Sequence, residues 1–406
     1  MKNIWFINEY DLPPKFSKFR RRYDMCKYLI KKNKYKLNVI CSSFMHGTGN
    51  KHAYNKKEKI EYMGMNVYVL KGISYVGNIK RIFSMLVFML KVIFFKFPKD
   101  EKPDLIYASS PHLFAALGAL IQAKRNKCKF VLEIRDLWPE TWVQIGVIKK
   151  GGIIHKFFLT LEKYLYKKAD KIVYLDPFFD YMISIGINTN KIVYLSNGVD
   201  LEEFDKKQSL EINLDKNKFN ITYTGAIGIA NNLEPIIDLA KLVSDKNIMF
   251  NIVGYGPLKK SLAERVENEN IKNIKFYDPI EKEKVPEVLR QSDALILSVL
   301  PIDLYQYGAS FNKLFEYWAS SKPILFFGNI KPDYIKESDS GISVTTNSID
   351  DLKNACFDLY NMSETDRVKL GKNGRKYVED NFDWKNLANK VDKIFDELLQ
   401  GEIKNV

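Results

Sequence analysis

The sequence predicts an α/β protein of two domains, each built on a parallel sheet, with strand ends facing a shared central cleft. Three observations predict it. Short apolar runs bounded by turn residues alternate with helical patterns along nearly the whole chain. The 406 residues exceed what one hydrophobic core usually serves. The charged, weakly patterned stretch 201–218 interrupts the series, and a fresh strand begins at Phe219.

In the first half, NIWFIN (3–8) and LNVICSS (37–43) read as short buried strands. Between them Arg20 to Lys32 has a helical pattern that opens on Arg20, Arg21 and Arg22. The N-terminus carries Glu9 and no long apolar run, so it reads as a first strand and not a signal peptide. Residues 45–62 are polar and basic, a loop or a lip over a site. Asn66 to Leu70 is a strand. Ile79 to Phe97 is strongly apolar, but Lys91 interrupts it and leaves it short of the ~20 clean residues a spanning helix needs. Its flanks, Lys80, Arg81, Lys96 and Lys99, suit a helix lying on anionic lipid. The alternative is a sheet-covering helix with a very apolar face. DLIYAS (104–109) is a strand, followed by a helix start at Ser110 and Pro111. KFVLEI (129–134) ends in RDLWPE, and strand ends are where open α/β sheets put ligands. Arg135, Asp136, Trp138 and Glu140 are therefore candidates, against the alternative of a salt-bridged loop. A helix from Leu159 to Ala169 precedes two KIVYL strands (171–175 and 191–195), the second followed by an Asn-Gly turn.

In the second half, ITYTG (221–225) runs into GAIG and MFNIVG (249–254) into GYG. Glycines after strands let a ligand approach the backbone, although each is weak evidence alone. Helices follow at Asn232 to Val243 and Leu258 to Asn268. IKFYD (274–278) precedes Pro279, Lys284 to Arg290 starts a helix, and ALILSV (294–299) and ILFFG (324–328) are strands. Asp351 to Leu399 is helical. Neither a Walker A motif nor a strict G-x-G-x-x-G is present.

Between the last two strands lies GASFNKLFEYWASSKPIL (308–325). Ser310 can start a helix there, and Ser-Ser-Lys with Pro323 ends it. Leu314, Phe315, Tyr317, Trp318 and Ala319 cover nearly every face, so the helix is expected to be buried. Glu316 in its middle then needs a partner. A helix start with Ser310, Asn312 and Lys313 is a seat for an anion, because free N–H groups and the dipole point outward. Two readings stay open. Either these three hold a diphosphate and Glu316 accepts hydrogen bonds from sugar hydroxyls, or Glu316 is a buried carboxylate paired with a structural Lys or Arg.

Charge is unevenly spread over a net of +14. Residues 1–200 hold 35 Lys and Arg against 16 Asp and Glu, a net of +19, and the remainder a net of −5. Such asymmetry argues about partners: nucleic acid, an anionic membrane surface or an anionic substrate. Cys26, Cys41, Cys128 and Cys356 are scattered, and the four histidines show no metal-ligand spacing. The sequence therefore suggests neither a disulfide frame nor a metal site. The aromatics fall mainly in strands and buried helices, unlike those of a single-strand nucleic-acid binder.

LSNGVDLEEF (195–204), YTGAIG (223–228), IVGYGPLKKSL (252–262) and the 308–325 stretch together resemble the family-4 retaining glycosyltransferases of the GT-B fold, two Rossmann-like domains with parallel sheets facing a central cleft. EIRDLWPET (133–141), HGTG (46–49) and SSPH (109–112) bring the resemblance to the branch that builds bacterial surface polysaccharides, similar to L-fucosamine-type sugar transferases. The resemblance covers nearly the whole chain, and its motifs are specific jointly rather than singly. It implies an acceptor-binding domain over 1–200, with a C-terminal helix from about residue 383 packing back on it, and a nucleotide-sugar-binding domain over 216–382. The base would lie near Gly254, Tyr255 and Pro279. The diphosphate would lie along Gly225, Gly228, Ser310, Asn312 and Lys313, with the ribose on Glu316. Asp136 would orient or deprotonate the acceptor hydroxyl, and Arg135, Ser110 and His112 would line the acceptor side. Lys259 or Lys260 would assist Lys313 on the leaving diphosphate. The resemblance further implies retention of anomeric configuration, no metal, and no cofactor beyond a nucleotide-sugar co-substrate, a UDP-sugar. The expected acceptor is a polyprenyl-diphosphate-linked saccharide in capsule or O-antigen synthesis. The expected location is cytoplasmic, peripheral on the inner face of the bacterial cell membrane, with no nucleic acid as partner. Two positions depart from the family pattern. Gly308 stands where many members carry the first Glu of an E-x7-E motif, and Ile229, Ala230, Asn231 and Asn232 stand where many carry an Arg and a Lys. The rival reading is a GT-B-fold epimerase or other nucleotide-sugar enzyme.

Overall fold

In the computed structural model, which describes residues 1–17, 19–45, 51–75, 77–144, 146–175, 179–302, 305 and 311–400, the chain forms two units, each around its own sheet. The first unit joins Met1–Asn197 to the C-terminal helix Trp384–Gln400, and the second is Gly198–Asp383.

The first sheet has eight strands: β1 (Lys2–Ile7), β2 (Tyr35–Ser42), β3 (Glu58–Tyr62), β4 (Met65–Leu70), β5 (Leu105–Ser110), β6 (Lys129–Ile134), β7 (Lys171–Tyr174) and β8 (Ile192–Tyr194). Their order is β3-β4-β2-β1-β5-β6-β7-β8. Only the β3–β4 hairpin is antiparallel. Strands covered on both faces must be apolar on both, which is why β1 reads as an unbroken run ending in the buried Ile4, Trp5, Phe6 and Ile7. The strand order reverses between β1 and β5, the kind of point where open α/β sheets take ligands.

The apolar run after residue 78 is the helix Asn78–Ile93. Met85, Phe88 and Val92 are buried in the core formed with Trp5, Ile7, Tyr68 and the helix Leu113–Asn126, so one face is committed to packing. A second stripe, Phe83, Leu90 and Phe94, stays exposed. Among the described residues no helix is long and apolar enough to cross a membrane. The C-terminal helix buries Trp384, Leu387, Val391 and Phe395 against Ile4, Phe6 and Tyr23.

The second sheet contains β9 (Phe219–Ala226), β10 (Ile248–Tyr255), β11 (Ile274–Tyr277), β12 (Ala294–Ser298), β13 (Ile324–Phe327) and β14 (Gly341–Val344). It is wholly parallel, in the order β11-β10-β9-β12-β13-β14. This is the doubly wound dinucleotide-binding order, reversing between β9 and β12. The sequence reading has no strand at β14, a half-exposed edge of four residues. It also treats 201–218 as a linker. In the structure Leu201 and Phe204 are buried with Leu314 and Phe315, and Ile212 and Leu214 pack on Val253 and Val288. The segment is thus part of the second unit, because four of its apolar residues find core, Leu210 alone staying exposed.

Candidate active site

The predicted donor residues other than Ser310 lie along the carboxyl edge of the second sheet. β9 and β10 stay in register to their last residues, so Gly254 stands opposite Gly225 and Tyr255 opposite Ala226. A Cβ on Gly254 would meet the Gly225 carbonyl oxygen at 1.8 Å. A Cβ on Gly225, whose φ is +143°, would meet Lys313 Cε at 2.7 Å and Cδ at 2.8 Å. Glycine suits the position because that φ strains any side chain, and the lysine stem lies across it. Gly228 opens onto free space, Tyr255 is about half exposed (48%), and Pro279 lies exposed beyond β11.

The helix Asn312–Ala319 follows β12 and begins with Asn312 exposed. Its aromatic residues fix it: Tyr317 Oη accepts the Thr224 N–H of β9 at 2.9 Å, and Trp318 Nε1 donates to Ser340 Oγ at 2.8 Å. Lys313 Nζ donates to Asn231 Oδ1 at 2.5 Å and stands 5.5 Å from the centroid of the Tyr223 ring. Among the described residues no carboxylate lies within ion-pair distance of it. Burial pushes its ammonium down to about 8, with Glu316 pulling the other way. Glu316 itself pairs with Lys282 at 3.4 Å, its carboxylate 20% exposed and the lysine 58% exposed. So open a pair is worth about 1 kcal/mol or less and leaves the carboxylate available. Lys259 is tied to the Tyr277 carbonyl and Asp278, and Lys260 is exposed beside Glu264, so neither shares the setting of Lys313. Ser310, Gly308 and the HGTG motif lie outside the described residues.

In the first unit, Arg135 and Asp136 directly follow β6. Asp136 has an exposed face yet is crowded on its other sides. That crowding raises its carboxyl above the ordinary range, against the pull of Arg135 and Arg81. Arg135 lies over the Phe19 ring. His112 does not offer itself to a ligand. It is fully buried; Nδ1 accepts the Ala115 N–H at 3.2 Å, capping the next helix, and Nε2 is 2.7 Å from Glu9 Oε2. This pairing puts the proton on Nε2. Ser110 is only 2% exposed. The sequence reading placed both on the acceptor side; the structure places both beneath the surface, because the switch between β1 and β5 is closed by the Glu9–His112 pair.

Four further residues stand out. Asn231 holds Lys313, and Lys282 holds Glu316. Arg81, read from the sequence as a lipid-facing flank, has its Nε buried with no hydrogen-bond partner, near Asp136. An orphaned buried donor costs about 1–3 kcal/mol and calls for an explanation. Glu133, by contrast, is saturated. It accepts from Arg21 Nε and Nη2 at 3.0 and 2.9 Å, from Arg22 at 3.4 Å, and from Tyr107 and Ser109 at 2.7 Å each. Burial alone would raise its carboxyl; Arg21, Arg22 and Arg135 outweigh that and hold it well below the usual carboxylate range. Each of these pairings joins residues at least 34 positions apart, except those of Glu133 with Ser109 and Tyr107, and none leaves a local signal in the sequence.

Residues 20–203 match the family model described as Glycosyltransferase Family 4, and residues 204–377 match that described as Glycosyl transferases group 1. WcaI of Escherichia coli (strain K12), a glycosyl transferase named for colanic acid biosynthesis, is 25% identical over 202 residues. That match covers 47% of this chain and only half (50%) of the relative. A glycosyltransferase of Methanocaldococcus jannaschii, MJ1178, is 24% identical over 85% of this chain and 88% of its own length. Among solved structures, sucrose-phosphate synthase from Thermosynechococcus elongatus superposes with a TM-score of 0.73 at 13% identity, covering 99% of this chain and 100% of the other. Anabaena HepE in complex with UDP gives 0.67 at 13% identity, covering 98% and 100%. The two models account in succession for residues 20 to 377 on this fold, and the chain belongs to the GT-B glycosyltransferases.

Proposed function

We propose that this chain moves a sugar from a UDP-sugar to a lipid-diphosphate-linked saccharide in the synthesis of a bacterial surface polysaccharide, with anomeric configuration retained. The observation that carries the reading is Lys313, a desolvated lysine held by a neutral amide across a glycine at the switch point of a parallel sheet. Such a cation gains its counter-charge when a diphosphate arrives. The colanic-acid relative and the UDP held by the Anabaena structure support the choice of reaction and nucleotide.

As the glycosyl–phosphate bond breaks, its electron pair leaves with the diphosphate and negative charge grows there. Lys313 and the free N–H groups at the start of the Asn312–Ala319 helix meet that charge, the largest single source of stabilisation in such a step. Glu316 exchanges Lys282 for the ribose hydroxyls, and Tyr255 and Pro279 flank the base. On the first unit, Arg81 and Arg135 take the acceptor's diphosphate. Asp136, its carboxyl raised above the ordinary range by crowding, takes the proton of the attacking hydroxyl as the oxygen bonds to the anomeric carbon.

Titration calorimetry with UDP, followed by transfer from UDP-sugars to lipid-linked acceptors, tests the reading. Micromolar UDP binding and turnover only with acceptor are expected. Turnover of the nucleotide sugar alone would favour an epimerase, and absence of UDP binding would overturn the assignment.

A further inference from the structure

We infer that residues 147–157, at the start of the helix Ile153–Lys168, form the surface by which the first unit docks on an anionic lipid bilayer. Ile153 is 89% exposed, Ile154 and Phe157 57% each, and Val147 40%. The same helix has a separate buried face, made by His155, Phe158, Glu162, Leu165 and Tyr166, so these side chains are not core residues out of place. Lys149, Lys150 and Lys156 are exposed among them, and none has an acidic partner among the described residues.

The surrounding charge is one-sided. Thr141 to Ala169 holds six lysines and a single acidic residue, Glu162. Glu162 is fully buried, and its two oxygens accept from Tyr166 and Tyr181 at 2.8 Å each. Burial pushes its carboxyl up to about 8, so it does not offset the lysines at neutral pH. Three protruding aliphatic side chains and one phenyl ring among unpaired ammonium groups match a bilayer of anionic headgroups over acyl chains. A nucleic-acid groove would instead interleave aromatics for stacking.

The stripe Phe83, Leu90 and Phe94 is the competing surface, with Lys80, Lys96 and Lys99 exposed beside it and two of its nearer charges committed. Lys91 Nζ donates to the Lys71 carbonyl at 2.5 Å, and Arg81 has its Nε buried. The placement of 147–157 also has a use. The helix Ile153–Lys168 crosses from β6 to the parallel β7, so it starts at the edge where Arg135 and Asp136 stand. Docking there brings that edge to the headgroups of a lipid-linked acceptor. That purpose rests on the proposed transferase reading; the docking itself does not.

Flotation of the full chain with vesicles tests this, using equal parts of phosphatidylcholine and phosphatidylglycerol against phosphatidylcholine alone. Binding to the anionic vesicles only, weakened by salt, is expected. Each lysine near such a surface contributes about fivefold in partitioning. The Lys149→Gln, Lys150→Gln, Lys156→Gln variant should therefore lose about a hundredfold. The Ile153→Ser, Ile154→Ser, Phe157→Ser variant should lose at least tenfold, and both should keep the parent's melting temperature and UDP affinity. Wild-type failure to float, or parental flotation of both variants, overturns the assignment. So does loss only in a Phe83→Ser, Leu90→Ser, Phe94→Ser variant, or a dimer that the serine variant dissociates without any vesicle binding. UDP binding is read separately, so failure here leaves the transferase reading standing.

Discussion

The two sheets turn back at equivalent points, between β1 and β5 and between β9 and β12, and they treat charge there in opposite ways. At the first, Glu9 and His112 close on each other, and close by Glu133 collects five donors around one carboxylate. At the second, a lysine loses water and receives only an amide oxygen. A buried charge with a complete set of partners holds a fold together. One left with a neutral partner keeps its interaction energy for a ligand.

The largest expected effect is on the paired side. Glu133→Ala leaves Arg21 buried without counter-charge and Arg22 with Asp11 alone, which should cost about 3–5 kcal/mol of stability, read as a fall in denaturation midpoint. If the variant melts like the parent, the network is not structural and the contrast fails. Lys313→Ala should do the reverse: turnover falls about 10²–10³-fold while the melting temperature does not fall. Equal loss of stability and activity would make Lys313 a framework residue. Gly225→Ala drives a Cβ into the lysine stem and should cost about 1–3 kcal/mol, appearing as weaker UDP binding. Combined with Lys313→Ala, the part of the cost due to the lysine stem should vanish and the backbone strain of a Cβ at a φ of +143° should remain.

The smallest effect is a pH dependence. In the folded protein Lys313 loses its proton near 8, against about 10.4 in the unfolded chain. Between those values the unfolded state binds more protons, so this group's destabilising contribution fades as pH rises through the window and is fully present below it. UDP affinity should fall as pH rises through about 8. Lys313→Arg, which stays charged, should bind UDP with no such fall; an identical fall in that variant would assign the titration elsewhere.

The strands were legible because apolar runs between turn residues are a local pattern; β14 escaped because four residues, three of them half-exposed, carry too little of it. Lys313 was legible from a helix start following a strand. Asn231, 82 positions away, was not. Arg81 read as a membrane flank because sequence shows its charge but not its rotamer, and His112 read as a ligand-facing residue because its partner Glu9 lies 103 positions earlier. The misplaced linker has the same origin, since nothing in 201–218 announces where Leu201 and Phe204 will pack.

By itself, the sequence determined the two α/β units, their alternating elements and the family, since each is written in short-range periodicity and in motifs of a few consecutive residues. Tertiary structure alone decided which charges are matched and which are left open. A charged side chain's role depends on the dielectric and the partners within about 4 Å of it, and distant parts of the chain supply those.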